Sequence, residues 1–70
     1  MENKITYEVF DEQGTKLFSV RAFRYPPVEI LSELEFRDFP NGTYVVKWKT
    51  FYRDINKHLR TKRHKNEVSF

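Results

Sequence analysis

Cysteine is absent from the 70 residues, and glycine, proline and tryptophan occur only 2, 3 and 1 times. Without cysteine there is no disulfide, no thiol catalysis and no Cys-based zinc site. Gly14 and Gly42 stand alone, so no Gly-rich loop can cradle a phosphate. No apolar run approaches the roughly 18 residues that a membrane-crossing helix needs, and no membrane partner is expected. Met1-Glu2-Asn3-Lys4 lacks the basic-then-apolar layout of a secretory signal, which makes a cytoplasmic protein the expectation. A chain this short is one domain whose core rarely supplies more than about 3–5 kcal/mol. Aromatic packing, at 17% of the residues, association or a partner must supply the rest.

Charge is present in quantity and unevenly placed. Residues 1–46 carry five basic and eight acidic groups, whereas residues 47–70 carry eight basic groups against Asp54 and Glu67. Halves of opposite sign point to a surface that faces a polyanion. Solubility alone is the plainer explanation, but mixed signs would provide it without a one-sided field.

The periodicity is that of strands. Ile5, Tyr7 and Val9 alternate with Thr6 and Glu8, Asp11-Glu12-Gln13-Gly14 reads as a type I turn closed by a left-handed glycine, and Thr15–Arg24 returns with Phe18, Val20 and Ala22 on one face. Pro26 and Pro27 break the pairing. Beyond them Ile30, Ser32, Leu34 and Phe36 alternate as in a half-buried strand over 30–37, although proline in a first turn and the Ile30–Leu34 spacing also fit a short helix at 28–35. Phe39-Pro40-Asn41-Gly42 reads as a second turn, leading into a strand over 43–52 with Tyr44, Val46 and Trp48 on one face. The last eighteen residues fit a fifth strand over 57–63, a short helix at 54–64 capped by Asp54, or a partly disordered tail. The expectation is a mostly β protein. It comprises a small antiparallel sheet of two hairpins, four to five strands in a barrel- or meander-like arrangement. Residues 1–52 form the β module and 53–70 a basic C-terminal segment.

Enzymatic chemistry finds little footing. Ser19, Ser32 and Ser69 have no local base and orienting group, and His58 and His64 lie in the basic segment at no common zinc spacing. Both histidines read as surface groups. Glu33 with Glu35, and Asp11 with Glu12, read as solvated acidic faces. Asn41-Gly42-Thr43 matches a glycosylation sequon but reads as a turn. No catalytic residue, metal or cofactor is expected.

The informative constellation is Lys47, Lys49, Arg53, Lys57, Arg60, Lys62, Arg63 and Lys65, interleaved with Trp48, Phe51 and Tyr52. Phosphate binding needs positive charge along a track, and flat rings let unpaired bases stack. Lys47, Lys49 and Phe51 share one face of their strand, and a fifth strand would bring Arg60 and Lys62 near them. Trp48 and Tyr44 read as core, which leaves Phe51 and Phe10 for exposed contacts.

Gly42-Thr43-Tyr44-Val45-Val46-Lys47-Trp48-Lys49, followed by Tyr52-Arg53-Asp54 and a basic run, resembles the small three-stranded arm-DNA-binding domains of tyrosine recombinases. The likeness covers about a third of the chain and implies DNA binding by a basic strand. It departs at the turn, where Ile55-Asn56 stands in place of that family's glycine. The same Gly-Thr-Tyr strand is similar to late strands of immunoglobulin-like sandwiches, a fold for which 70 residues is short. Neither likeness assigns the chain to a family.

Two function classes follow. One is a module that binds nucleic acid mainly through backbone charge. The other is a protein-binding inhibitor or adaptor of the kind phages encode, aimed at a host protein or a nucleic-acid enzyme. It would dock a strand edge and Phe10, Phe39 and Phe51 on a partner, with the basic tail steering towards an acidic surface. A homodimer formed by the same edge is a variant of the second class. Truncation after Tyr52 should abolish the first activity and only weaken the second.

Overall fold

Alternation in the first ten residues becomes strand β1 (Ile5–Phe10), paired with β2 (Lys16–Ala22) so that Tyr7 faces Val20 and Val9 faces Phe18. Here, in a computed structural model describing residues 3–70, the turn follows the sequence closely. The Asp11 carboxylate accepts the Gln13 and Thr15 amides at 2.9 Å, the Gly14 amide donates to the Asp11 carbonyl, and Gly14 sits at φ 84°. That left-handed backbone is the conformation glycine adopts without a Cβ penalty.

The next segment is a helix, α1 (Pro27–Phe36), and not the strand expected over 30–37. Pro27 occupies the first turn, where its missing N–H costs nothing, and Ile30 and Leu34 fall on one buried stripe. Topology supplies the reason. β2 and β3 (Thr43–Arg53) both run antiparallel to β1 and so run parallel to each other, and parallel strands need a crossover, usually helical. The helix ends with Asp38 at φ 57°, the Phe39 amide donating to the Leu34 carbonyl and the Asp38 amide to the Glu35 carbonyl. This is a Schellman closure. Phe39–Gly42 is therefore a helix-to-strand link, not a hairpin turn, and Gly42 needs no left-handed backbone.

The hairpin partner of β3 is β4 (Leu59–Ser69), in unbroken register from Thr43↔Ser69 to Arg53↔Leu59. Neither a helix at 54–64 nor a strand ending at 63 forms. The four strands make one open sheet in the order β2-β1-β3-β4, so the arrangement is neither a barrel nor a meander. The protein is mostly β with one short helix.

One sheet face lies under α1. There Tyr7, Val9, Phe18, Tyr44, Val46 and Val68 bury against Ile30 and Leu34. Aromatic rings close both ends of this core. Phe39 stacks on Phe18 at 6.1 Å, while Tyr25 stacks on Trp48 at 5.0 Å with Tyr7 tilted beside them. Burial raises the ionisation of Tyr7 and Tyr25 above the usual phenol range. Among the described residues the buried Tyr25 hydroxyl has no hydrogen-bond partner of sound geometry. The radius of gyration is 13.9 Å, against about 11 Å for a compact domain of this length. The β3–β4 ribbon accounts for the excess.

Candidate nucleic-acid interface

β1 and β3 pair only from Phe10↔Val45 to Glu8↔Lys47. Beyond Lys47 the ribbon leaves the sheet, and its last six β3 residues, Trp48–Arg53, pair with β4 alone over about 20 Å, with Trp48 still packed on Tyr7 and Tyr25 at its base. Between the start of β1 and the base of this ribbon lies an open groove of about 1100 Å³. Lys4, Thr6 and Glu8 line one side, and Lys47, Lys49, Phe51, Arg63 and Lys65 the other.

Strand parity decides which cations meet. On the face away from α1, Lys47 stands opposite Lys65 and Lys49 opposite Arg63, with Phe51 opposite Thr61. On the helix side, Trp48 stands opposite His64, Thr50 opposite Lys62 and Tyr52 opposite Arg60. Lys47, Lys49, Arg63 and Lys65 thus form a two-by-two grid of exposed cations. Arg60 and Lys62, expected to join Lys47 and Lys49, point the other way. His64 is not a free surface group either: it stacks on Trp48 at 5.2 Å and 8°, and its Nε2 meets the Thr50 hydroxyl at 2.7 Å.

Like charges directly opposite each other destabilise a ladder. Among the described residues the ion pairs are Lys16–Glu8, Arg37–Glu33 and Arg60–Asp54, and none of the four grid cations enters one. Lys47 rests over the Phe10 ring at 4.8 Å. Protection of an exposed edge explains lysine and arginine along β4. It does not explain Lys47, which is paired on both sides, by Glu8 and by Lys65; Lys49 lies past the end of the β1 pairing, where β3 too is an edge.

The ribbon tip is built like the first turn. The Asp54 carboxylate accepts the Asn56 and His58 amides at 2.9 Å, the Lys57 amide donates to the Asp54 carbonyl, and Lys57, at φ 63°, takes the place of Gly14. Arg60 Nε donates to the other Asp54 oxygen at 2.8 Å, and Arg53 Nη1 donates to the Lys57 carbonyl at 3.0 Å. The Arg60 hydrogen bond, then the backbone amides, hold the Asp54 carboxyl below the usual carboxylate range. Arg53 and Arg60 brace the tip, while Lys57 and Lys62 are exposed beside it.

The apolar set expected at a protein interface is not gathered. Phe39 is packed between Phe18 and Tyr44, and Phe10 is half-buried beneath Lys47. Phe51 is free, at 65% exposure, in the company of Tyr52, Ile55 and Leu59 at the ribbon's end. Sequence reasoning missed Lys4, Ile55 and Leu59. The parity of Thr6 and Glu8 already placed Lys4 on their face. Truncation after Tyr52 cannot separate functions, because β4 carries Val68 into the core.

Among the described residues no three His, Asp or Glu side chains converge as metal ligands, and no helix is long and apolar enough to cross a membrane. Comparison with protein-family models, with curated proteins and with solved structures returns no match.

Proposed function

We propose that the protein is a non-enzymatic nucleic-acid-binding module whose contact surface is the exposed face of the β3–β4 ribbon and the groove beside it. The observation that carries the reading is the grid of Lys47, Lys49, Arg63 and Lys65: four cations aligned across two strands, none of them in an ion pair among the described residues, with Glu8 across from Lys47 and Glu67 beside Lys65 as the acids at its margin. Such a grid costs the fold stability, and a polyanion offsets that cost by occupying it. Lys4 extends the charge along the groove, and Phe51 offers a ring.

Fluorescence anisotropy of labelled oligonucleotides at about 50 and about 200 mM salt tests the proposal. If roughly four to eight cations engage phosphates, affinity falls by about 10²–10⁴ across that range. Lys49→Gln and Arg63→Gln should each reduce the salt slope by about one. Absence of binding at the lower salt would rule the reading out.

The inhibitor or adaptor reading keeps one observation of its own. β4 is an edge strand of 11 residues whose outer backbone row is open to strand addition by a partner or a second copy. Sedimentation of the protein alone distinguishes the homodimer: a dimer that survives high salt belongs to this reading.

A further inference from the structure

Ile55 is 96% exposed at the end of the ribbon, Leu59 62%, Phe51 65% and Tyr52 51%. A turn with no task beyond reversing the chain is normally polar. This one is also rigid: Asp54 takes two backbone amides and Arg60, while Arg53 clamps the Lys57 carbonyl. The apolar end is therefore presented in a fixed form and does not fold back for cover.

Cations follow the ribbon on both faces. Lys49 and Arg63 lie on one, Lys62 on the other beside Arg60, whose guanidinium is held by Asp54, and Lys57 at the tip. A flat platform for single strands needs charge and several free rings on one face, and only Phe51 is free on the open face of this ribbon. Charge on both faces instead suits a slot with two phosphate walls. The major groove of B-form DNA is about 12 Å wide and admits a two-stranded β-ribbon, and its floor presents thymine methyl groups that accept apolar contacts. An A-form major groove is too narrow for side chains to read. An anionic membrane surface would draw its cations to one level around the apolar tip, whereas here they are spread along about 20 Å of ribbon.

We propose, building on the nucleic-acid reading, that the partner is B-form duplex DNA and that the β3–β4 ribbon enters its major groove with Ile55 and Leu59 against the base edges. Phosphate contacts from both faces set the depth and register, and the apolar tip gives a preference for thymine-containing sites.

The test uses the full chain and Ile55→Ser, which alters a solvent-exposed side chain and leaves the core untouched. Binding is measured to a duplex, to its single strands, and to the same duplex with thymine replaced by uracil. The expected result is duplex binding tighter than single-strand binding, a roughly fourfold loss for each methyl contact removed by uracil, and a roughly tenfold loss for Ile55→Ser. Ile55→Ser should then no longer distinguish thymine from uracil. Salt-dependent binding that ignores both changes, or that favours single strands, overturns the groove-entry proposal and leaves the nucleic-acid reading standing. No binding to any oligonucleotide overturns both. Ile55-dependent binding to phosphatidylserine vesicles without DNA binding assigns the tip to a membrane surface and overturns the proposal as well.

Discussion

Lys49 and Arg63 face each other across the β3–β4 ladder, on the exposed side of the sheet and without an acid between them. Directly opposed like charges destabilise by roughly 0.2–1 kcal/mol. Arg63→Glu converts this contact to an attractive pair and turns the neighbouring grid positions favourable. Stability should rise by about 0.5 kcal/mol, or about 2–4 °C in Tm, while polyanion affinity and its salt slope both fall. Thermal melts and anisotropy on the same variant read the two effects. Loss of both stability and affinity would show that the grid is not in conflict with the fold.

The two hairpin turns permit a reciprocal exchange. Gly14 and Lys57 occupy equivalent left-handed positions, φ 84° and φ 63°, and nothing lies within 4 Å of a Cβ placed on Gly14. Backbone conformation alone therefore sets the effect. Lys57→Gly should stabilise by about 1 kcal/mol and Gly14→Ala destabilise by about the same. Gly42→Ala, in open space and without a left-handed backbone, should be near neutral. Urea midpoints for the three variants check the pattern, and equal effects at Gly14 and Gly42 would contradict it.

Where the sequence was legible, local chemistry and tertiary pairing agreed. The first hairpin has alternation on both strands and an Asp-x-x-Gly turn between them. Residues 27–36 satisfy two periods at once, and the choice rests on the crossover between β2 and β3, which no local pattern reports. β4 carries Leu59 and Val68 as its only aliphatic residues, because most of its length faces solvent on both sides. Its strand character comes from β3, not from its own pattern. The grid was half legible for the same reason. Lys47 and Lys49 share a parity that any strand imposes, but whether Lys62 or Arg63 joins them depends on register. The turn signal that would have fixed the register was Asp54-x-x-Lys57, a copy of Asp11-x-x-Gly14 with the glycine replaced.

Asp54 gives the ribbon tip a defined acid response. Its carboxyl is lowered in the folded chain by Arg60 and by the amides of His58 and Asn56. A lowered carboxyl contributes order that is fully present above its ordinary range and lost as pH falls through the folded value. The Asn56 and His58 amides should therefore keep their hydrogen-exchange protection through mildly acidic pH and lose it only below the usual carboxylate range. Asp54→Asn, which retains an acceptor without the charge, should remove this transition. A transition that persists in Asp54→Asn would assign the response to another group.

Leu34 and Phe36 separate the helix from the strand more sharply than any other pair. In a strand they would share a face and be buried alike. In α1 Leu34 is fully buried against the sheet, while Phe36 is 85% exposed. Leu34→Ala should cost about 2–5 kcal/mol. That is comparable to the entire stability of a core this size, so the variant should be largely unfolded at 25 °C, a temperature near the usual stability maximum. Phe36→Ala should stay within about 0.5 kcal/mol of the parent. Trp48, the single tryptophan, stacks between Tyr25 and His64 and reports loss of the core by fluorescence under urea. Equal sensitivity at the two positions would mean that residues 30–37 pair as a strand, and that β2 and β3 are joined by some other route.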